Sequence, residues 1–255
     1  MTTRASKNPT TRTTRTTRTT RRSAALAGAV LAAVVGLTTA APASAAPSDR
    51  TVVDAWHHDF LQRGADDPGY DRYTSFITTF GPVAAADDLT RTREYAEHQV
   101  GQIYRKHLQR SPDAGAAYWV DGVAQGRFPL EWVNQNVLAS QEYADLWAKV
   151  RSSRKPSVTA NAWINTLLNR RATPNESAYW GDRITKVGRL GALRDLYYTS
   201  EGVYQRIDGH YRELLGRPVD GGGYSYWYGL ETQDDRAVQV QIAASPEYRE
   251  RSDER

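Results

Sequence analysis

Apolar positions along this chain recur at helical spacing. Tyr211, Leu214 and Leu215 stand at i, i+3 and i+4, and Tyr104, His107 and Leu108 form the same stripe. Val133, Val137 and Leu138 mark another. No stretch alternates long enough to predict a strand. Helix starts are legible too. Ser245-Pro246-Glu247 combines an N-cap, a first-turn proline and a first-turn acid. Thr92, Ser140 and Ser200 take the N-cap place in equivalent segments. The helix opened at Thr92 is expected to run through Val100 and Ile103 to Leu108. The one opened at Ser200 is expected to run through Ile207 to Leu215, with Gly101 and Gly209 as bend points. The predicted class is all-α.

These stripes belong to one recurring phrase: aromatic, leucine pair, arginine, Asp/Gly loop, aromatic. Four copies centre on Arg63, Arg110, Arg170 and Arg217, spaced by 47, 60 and 47 residues. The fourth copy reads Tyr211, Leu214-Leu215, Arg217, Asp220, Gly223, Tyr226-Trp227. The second reads Tyr104, Leu108, Arg110, Asp113, Gly115, Tyr118-Trp119. The first has Trp56, Phe60-Leu61, Arg63, Asp66, Gly69 and Tyr73 alone. The third has Trp163, Leu167-Leu168, Arg170 and Tyr179-Trp180, with Thr173 and Glu176 replacing the loop Asp and Gly. Each copy closes on a second signature: Thr92-Arg93-Glu94-Tyr95, Ser140-Gln141-Glu142-Tyr143, Ser200-Glu201 with Tyr204, and Ser245-Pro246-Glu247-Tyr248. The expected organisation is tandem short-helix repeats, about four units of three to four helices. Two two-repeat lobes, at 46–150 and 158–255, are expected to flank a basic linker at 151–157, Arg151 to Ser157.

The combined pattern, Tyr-Arg-x-Leu-Leu-Gly-Arg, Asp, Gly, Tyr-Trp and Ser-x-Glu-Tyr, resembles the bacterial "domain of unknown function 4214" repeat. The likeness is closest over His210 to Tyr248, good over Ile103 to Tyr143, and weaker in the other two copies. The resemblance implies a small helical module, often tandem, in secreted or surface-associated bacterial proteins. It implies no established reaction and carries over no catalytic residues.

Charge changes the picture once the first 45 residues are set apart. Residues 1–22 carry seven basic residues and no acid, Ala24 to about Ala40 is apolar, and Ala43-Ser44-Ala45 reads as a cleavage site. Basic, apolar and small-residue regions in that order predict a signal peptide at 1–45. The general secretory route is favoured over the twin-arginine route that Thr20-Arg21-Arg22 suggests. The whole chain holds 33 basic and 29 acidic residues, but beyond the leader 26 basic face 29 acidic. The basic balance therefore belongs to the leader and is no argument for nucleic acid. The expected product is secreted, or non-covalently associated with the cell wall, with no membrane segment after the leader is removed. Cysteine is absent, which excludes disulfides, thiol nucleophiles and thiolate metal sites.

Candidate chemistry is sparse. Asp66, Asp113 and Asp220 with their arginines invite a calcium reading, but each loop offers one or two acids where calcium takes several oxygens. N-capping is the expected role, with no cofactor and no metal site. The five histidines form no His-Glu-x-x-His motif, and neither a nucleophile elbow nor a phosphate loop occurs. A non-catalytic protein is expected. Seven Trp and 15 Tyr suit contact with sugar rings. Trp119, Trp180 and Trp227 recur at one repeat position and are expected in the core. Trp132 and Trp147 do not recur, and with Tyr224, Tyr226 and Tyr228 they are the expected ligand-binding residues. The expected partner is an extracellular polysaccharide, such as cell-wall material, bound by a non-catalytic module. One alternative is a protein assembly module that binds a surface protein, and another is a hydrolase with a site between the lobes.

Overall fold

The computed structural model describes residues 48–229 and 234–254; the expected leader lies outside the described residues. Among the described residues the fold is all-α, with thirteen α-helices and no strand. In chain order these are α1 (Asp49–Leu61), α2 (Asp67–Phe80), α3 (Pro82–Leu89), α4 (Arg93–Leu108), α5 (Ala117–Ala124), α6 (Leu130–Leu138) and α7 (Gln141–Arg151). They continue with α8 (Pro156–Leu168), α9 (Pro174–Tyr197), α10 (Ser200–Leu215), α11 (Gly221–Gly229), α12 (Asp235–Ala243) and α13 (Pro246–Ser252). Among the described residues no helix is long and apolar enough to cross a membrane.

Local chemistry explains most boundaries. Thr92, Ser140 and Ser245 each accept a backbone N–H three residues on, from Tyr95, Tyr143 and Tyr248. At α10 the cap is Thr199, which accepts from the Gly202 N–H, so Ser200 is the first helical residue and not the expected cap. Gly202 sits where the other copies have Tyr because a Cβ there would stand 2.7 Å from the Leu196 and Tyr197 carbonyl oxygens. The loop acids cap as expected. Asp66, Asp113 and Asp220 accept from the N–H groups of Gly69, Gly115 and Gly223 at 2.8, 3.0 and 2.8 Å. In the third copy Thr173 and Glu176 replace that arrangement with a reciprocal capping box. The helices α4 and α10 run through Gly101 and Gly209 without a break. The breaks fall at Gly81, between α2 and α3, and at Gly188 inside α9, with φ of 86° and 77°.

Each motif arginine makes the same clasp. The residue before it, Gln62, Gln109, Asn169 or Gly216, is left-handed and ends the preceding helix. The chain turns there, and the guanidinium reaches forward to the first-turn glutamate of the second signature. Arg63 holds Glu94, Arg110 holds Glu142, Arg170 holds Glu201 and Arg217 holds Glu247. In every case Nε donates to one oxygen and Nη2 to the other at 2.5–2.9 Å. Nη1 also donates to the carbonyl oxygen of the next residue in all four. The glutamates sit at helix N-termini, where the helix dipole favours negative charge. Proximity in the chain also puts each arginine within reach of its own loop acid. That contact exists in the second and fourth copies, Arg110 with Asp113 and Arg217 with Asp220, but it is secondary to the glutamate.

Burial pairs the segments differently from the expected lobes. One apolar core joins residues of 52–95 to residues of 207–248, and the other joins residues of 96–143 to residues of 160–196. Neither core corresponds to 46–150 or 158–255. Two tryptophans tie the pairs. Trp56 is fully buried and donates Nε1–H to the Ala243 carbonyl at 2.9 Å. Trp163, also fully buried, donates to the Leu138 carbonyl at 2.9 Å. Tyr248 donates to Asp59 at 2.8 Å, and Tyr143 meets Thr166 at 3.2 Å. A shift of 107 residues (63 to 170) carries Trp56 onto Trp163, Gly81 onto Gly188 and Thr92 onto Thr199. The two halves therefore exchange partners: each odd segment packs on the even segment of the other half. The linker expected at 151–157 shrinks to 152–155, since Arg151 ends α7 and Pro156 opens α8.

Candidate functional site

The non-recurring tryptophans stand in two separate surface grooves. Trp147, on α7, is half-buried against the second core and 6.4 Å from the Tyr143 ring. Its groove has a volume of about 660 Å³ and is completed by Arg151, Asn161, Asn165 and Arg171. The α7 C-terminus supplies Arg151, the outer face of α8 supplies both asparagines, and the loop after α8 supplies Arg171. The expected linker thus forms one edge of a groove.

Trp132, on α6, is half-buried in an aromatic cluster with Trp119 and Phe128, at ring distances of 5.9 and 4.8 Å. Its groove, about 560 Å³, adds Arg127, Gln135, Arg194 and Tyr198. A neighbouring hollow shares Arg127, Phe128 and Tyr198 and extends this surface toward Arg91. Gly122 makes room for the cluster. A Cβ there would come within 1.8 Å of the Phe128 ring.

The arginines decide the character of both grooves. Most arginines of the fold are bound to carboxylates, including the four clasps. Arg127, Arg151, Arg171 and Arg194 make no carboxylate pair among the described residues. Each groove therefore presents an indole and two guanidinium groups free of counter-ions; the Trp147 groove adds the amides of Asn161 and Asn165, whereas the buried Gln135 amide of the Trp132 groove is held by Tyr198 and Arg194. That combination fits a ligand with apolar ring faces, hydroxyls and carboxylate or phosphate groups.

The other expected residues lie elsewhere. Tyr226 and Tyr228 are about half exposed, and Tyr224 packs between Tyr204 and Tyr228 at 5.3 and 5.5 Å. All three are on α11 and line neither tryptophan groove, so the single aromatic face expected from the sequence is not formed. Trp180 and Trp227 are buried, whereas Trp119 is only half-buried and belongs to the Trp132 cluster. Tyr118, Tyr179 and Tyr226, the partners of those tryptophans, all project to solvent, stacked edge-on at 4.8–5.1 Å.

Two acids meet between the cores, where a hydrolase site was an alternative. Glu131 is buried and accepts the backbone N–H of Asp235. Burial raises its pKa, and the Asp235 charge adds to that. Asp235 goes the other way: burial opposes ionisation, but His210 and the Arg206 charge more than offset it. Both Asp235 oxygens are engaged, Oδ1 by Arg206 Nε at 3.1 Å and Oδ2 by the Tyr197 hydroxyl at 3.2 Å. Asp235 is thus an anchor and not a second free carboxylate. No protein-family model matches the chain, and neither a curated protein nor a solved structure matches it.

Proposed function

We propose that this chain is an exported, non-catalytic module that binds an acidic polysaccharide through the Trp132 and Trp147 grooves. The observation that carries the reading is the company these tryptophans keep: each shares a groove with two arginines that no carboxylate neutralises. An indole face packs against sugar C–H groups. Asn161 and Asn165 supply donors and acceptors for hydroxyls. A guanidinium matches a carboxylate or phosphate bidentately. The charge balance beyond the leader is slightly acidic, so positive potential is confined to local features such as these and does not come from a basic surface as a whole. The resemblance to the "domain of unknown function 4214" repeat fits a secreted module of this kind.

The test is binding of the mature chain to acidic and neutral polysaccharides, with and without calcium, at two salt concentrations. Retention on acidic polymers, weakened by salt, is expected. W147A with R151A, or W132A with R194A, should each reduce it about tenfold or more, since a charge-assisted contact is worth roughly 1.5–3 kcal/mol. Equal binding of neutral polymers, or none at all, would refute the proposal.

A second reading, protein assembly, has one specific support. Phe80 and Val83 are exposed at the α2–α3 corner, with Phe76 stacked 4.8 Å from Phe80. Retention of a surface protein that F80S abolishes would favour it.

A further inference from the structure

The two apolar cores meet along a polar seam, and a well of about 370 Å³ opens there between α4, α6, α10 and α12. Among the described residues four buried side-chain atoms have no hydrogen-bond partner: His98 Nδ1, Glu131 Oε2, Asn134 Oδ1 and His210 Nε2. All four residues line this one well. Native proteins leave few such groups unpaired, and a cluster of them around a common space marks a place built for something else to pair with.

Glu131 is the centre of the arrangement. It is 3% exposed, on the first turn of α6. Its Oε1 accepts the Asp235 N–H, which fixes the carboxyl group and leaves Oε2 for the well. The strong charges beside it are already committed. Asp235 is neutralised by Arg206, and Arg236 is bound to Asp87 at 2.5 Å. Neither guanidinium is left over for an anion, and no cation pairs with Glu131 among the described residues. Glu213 and Lys106 also line the well. The unpaired atoms are two oxygen acceptors, on Glu131 and Asn134, and two ring N–H groups, since His98 Nε2 accepts from Gln102 and His210 Nδ1 from Gln239, leaving His210 Nε2–H 3.9 Å from Asp235 Oδ1.

We propose that this well binds a small organic cation, a primary amine that also carries hydroxyl or carbonyl oxygens, with Glu131 as its counter-ion. Asn134 Oδ1 accepts from the same amine, while the ring N–H groups of His98 and His210 donate to the ligand's oxygens. A bare metal ion fits less well, because among the described residues no group of three or more His, Asp or Glu is placed to hold one. The site shares no lining residue with the Trp147 groove and touches the Trp132 groove only through Glu131. It stands or falls separately from polysaccharide binding.

The test is titration calorimetry on the whole mature chain with ethanolamine, glucosamine, lysine and spermidine. Ethylene glycol and glucose serve as uncharged counterparts, and calcium and magnesium chloride as inorganic cations. At least one amine is expected to bind, ten times or more tighter than its uncharged counterpart. E131Q keeps the acceptor for the Asp235 N–H and should weaken that binding at least tenfold with an unchanged helical spectrum. N134L removes a second acceptor without touching Glu131, so it decides the matter if E131Q fails to fold, and should also weaken binding. Equal binding of glucose and glucosamine, amine binding unaffected by both substitutions, binding of the inorganic cations alone, or no binding by any amine would each overturn the proposal.

Discussion

The exchange of partners between halves predicts what happens when the chain is cut. The loop 152–155 separates a first half ending with α7 from a second half opening with α8. Each half contains segments of both cores, and within each core the residues of one half face those of the other. The magnitude follows from the two ties. Trp56 and Trp163 are fully buried, each with its indole N–H bonded to a carbonyl in the opposite half. Losing the surroundings of a buried tryptophan costs about 3–5 kcal/mol, so the two together cost about 6–10 kcal/mol. A domain has only about 5–15 kcal/mol in total. Neither half should therefore fold as a monomer. Mixed at equal concentration, the halves should regain the helical circular dichroism spectrum and melt in one cooperative transition. Trp163→Ala in the second half should weaken reassembly by about 3–5 kcal/mol, roughly a hundredfold to a few thousandfold. A half that folds only as a homodimer would satisfy the same packing, with a second copy standing in for the missing half. A monomeric half with a cooperative melt and native amide dispersion would refute the reasoning.

Two further predictions rest on single residues. Burial, aided by the Lys106 charge, pushes the pKa of His107 down to about 4 from an ordinary 6.5. The folded state thus refuses a proton that the unfolded chain takes up. Stability is complete above pH 6.5 and falls by about 3 kcal/mol as the pH drops to 4. Urea melts across that window should show this loss, and His107→Leu should remove most of it; an unchanged slope would contradict the buried, neutral assignment. Gly122→Ala would place a methyl group against the Phe128 ring and push it from the Trp132 cluster. Polysaccharide binding at that groove should fall severalfold while W147A effects persist, measured by affinity electrophoresis. Binding equal to wild type would show that Phe128 does not shape the groove.

Much of the local structure was legible in the sequence because its causes lie within a few residues. The caps at Thr92, Ser140 and Ser245, the loop acids Asp66, Asp113 and Asp220, and the long α4 and α10 all follow from side chains bonding to nearby backbone. Even Ser200 missed by only one position. The clasps were within reach as well. A glutamate follows each motif arginine at 30–32 positions, and that narrow range is the signal that pairs them. The binding grooves were half legible: Trp132 and Trp147 stood out by not recurring, but nothing marked which arginines would join them.

The sequence by itself therefore determined the all-α class, most of the helix N-caps and the recurring phrase. Tertiary structure alone decided which segments share a core. All four copies carry similar apolar stripes, so local pattern does not distinguish one partner from another. That choice is made by burial of Trp56 and Trp163 across the halves, a contact spanning 187 residues in the first case and 25 in the second. Tertiary structure alone also created the polar well. Glu131, Asn134, His98 and His210 look like ordinary surface residues in the chain, since a polar side chain reads the same whether water or a closed seam surrounds it. Only the packing of α4, α6, α10 and α12 removes their water and leaves them facing one another.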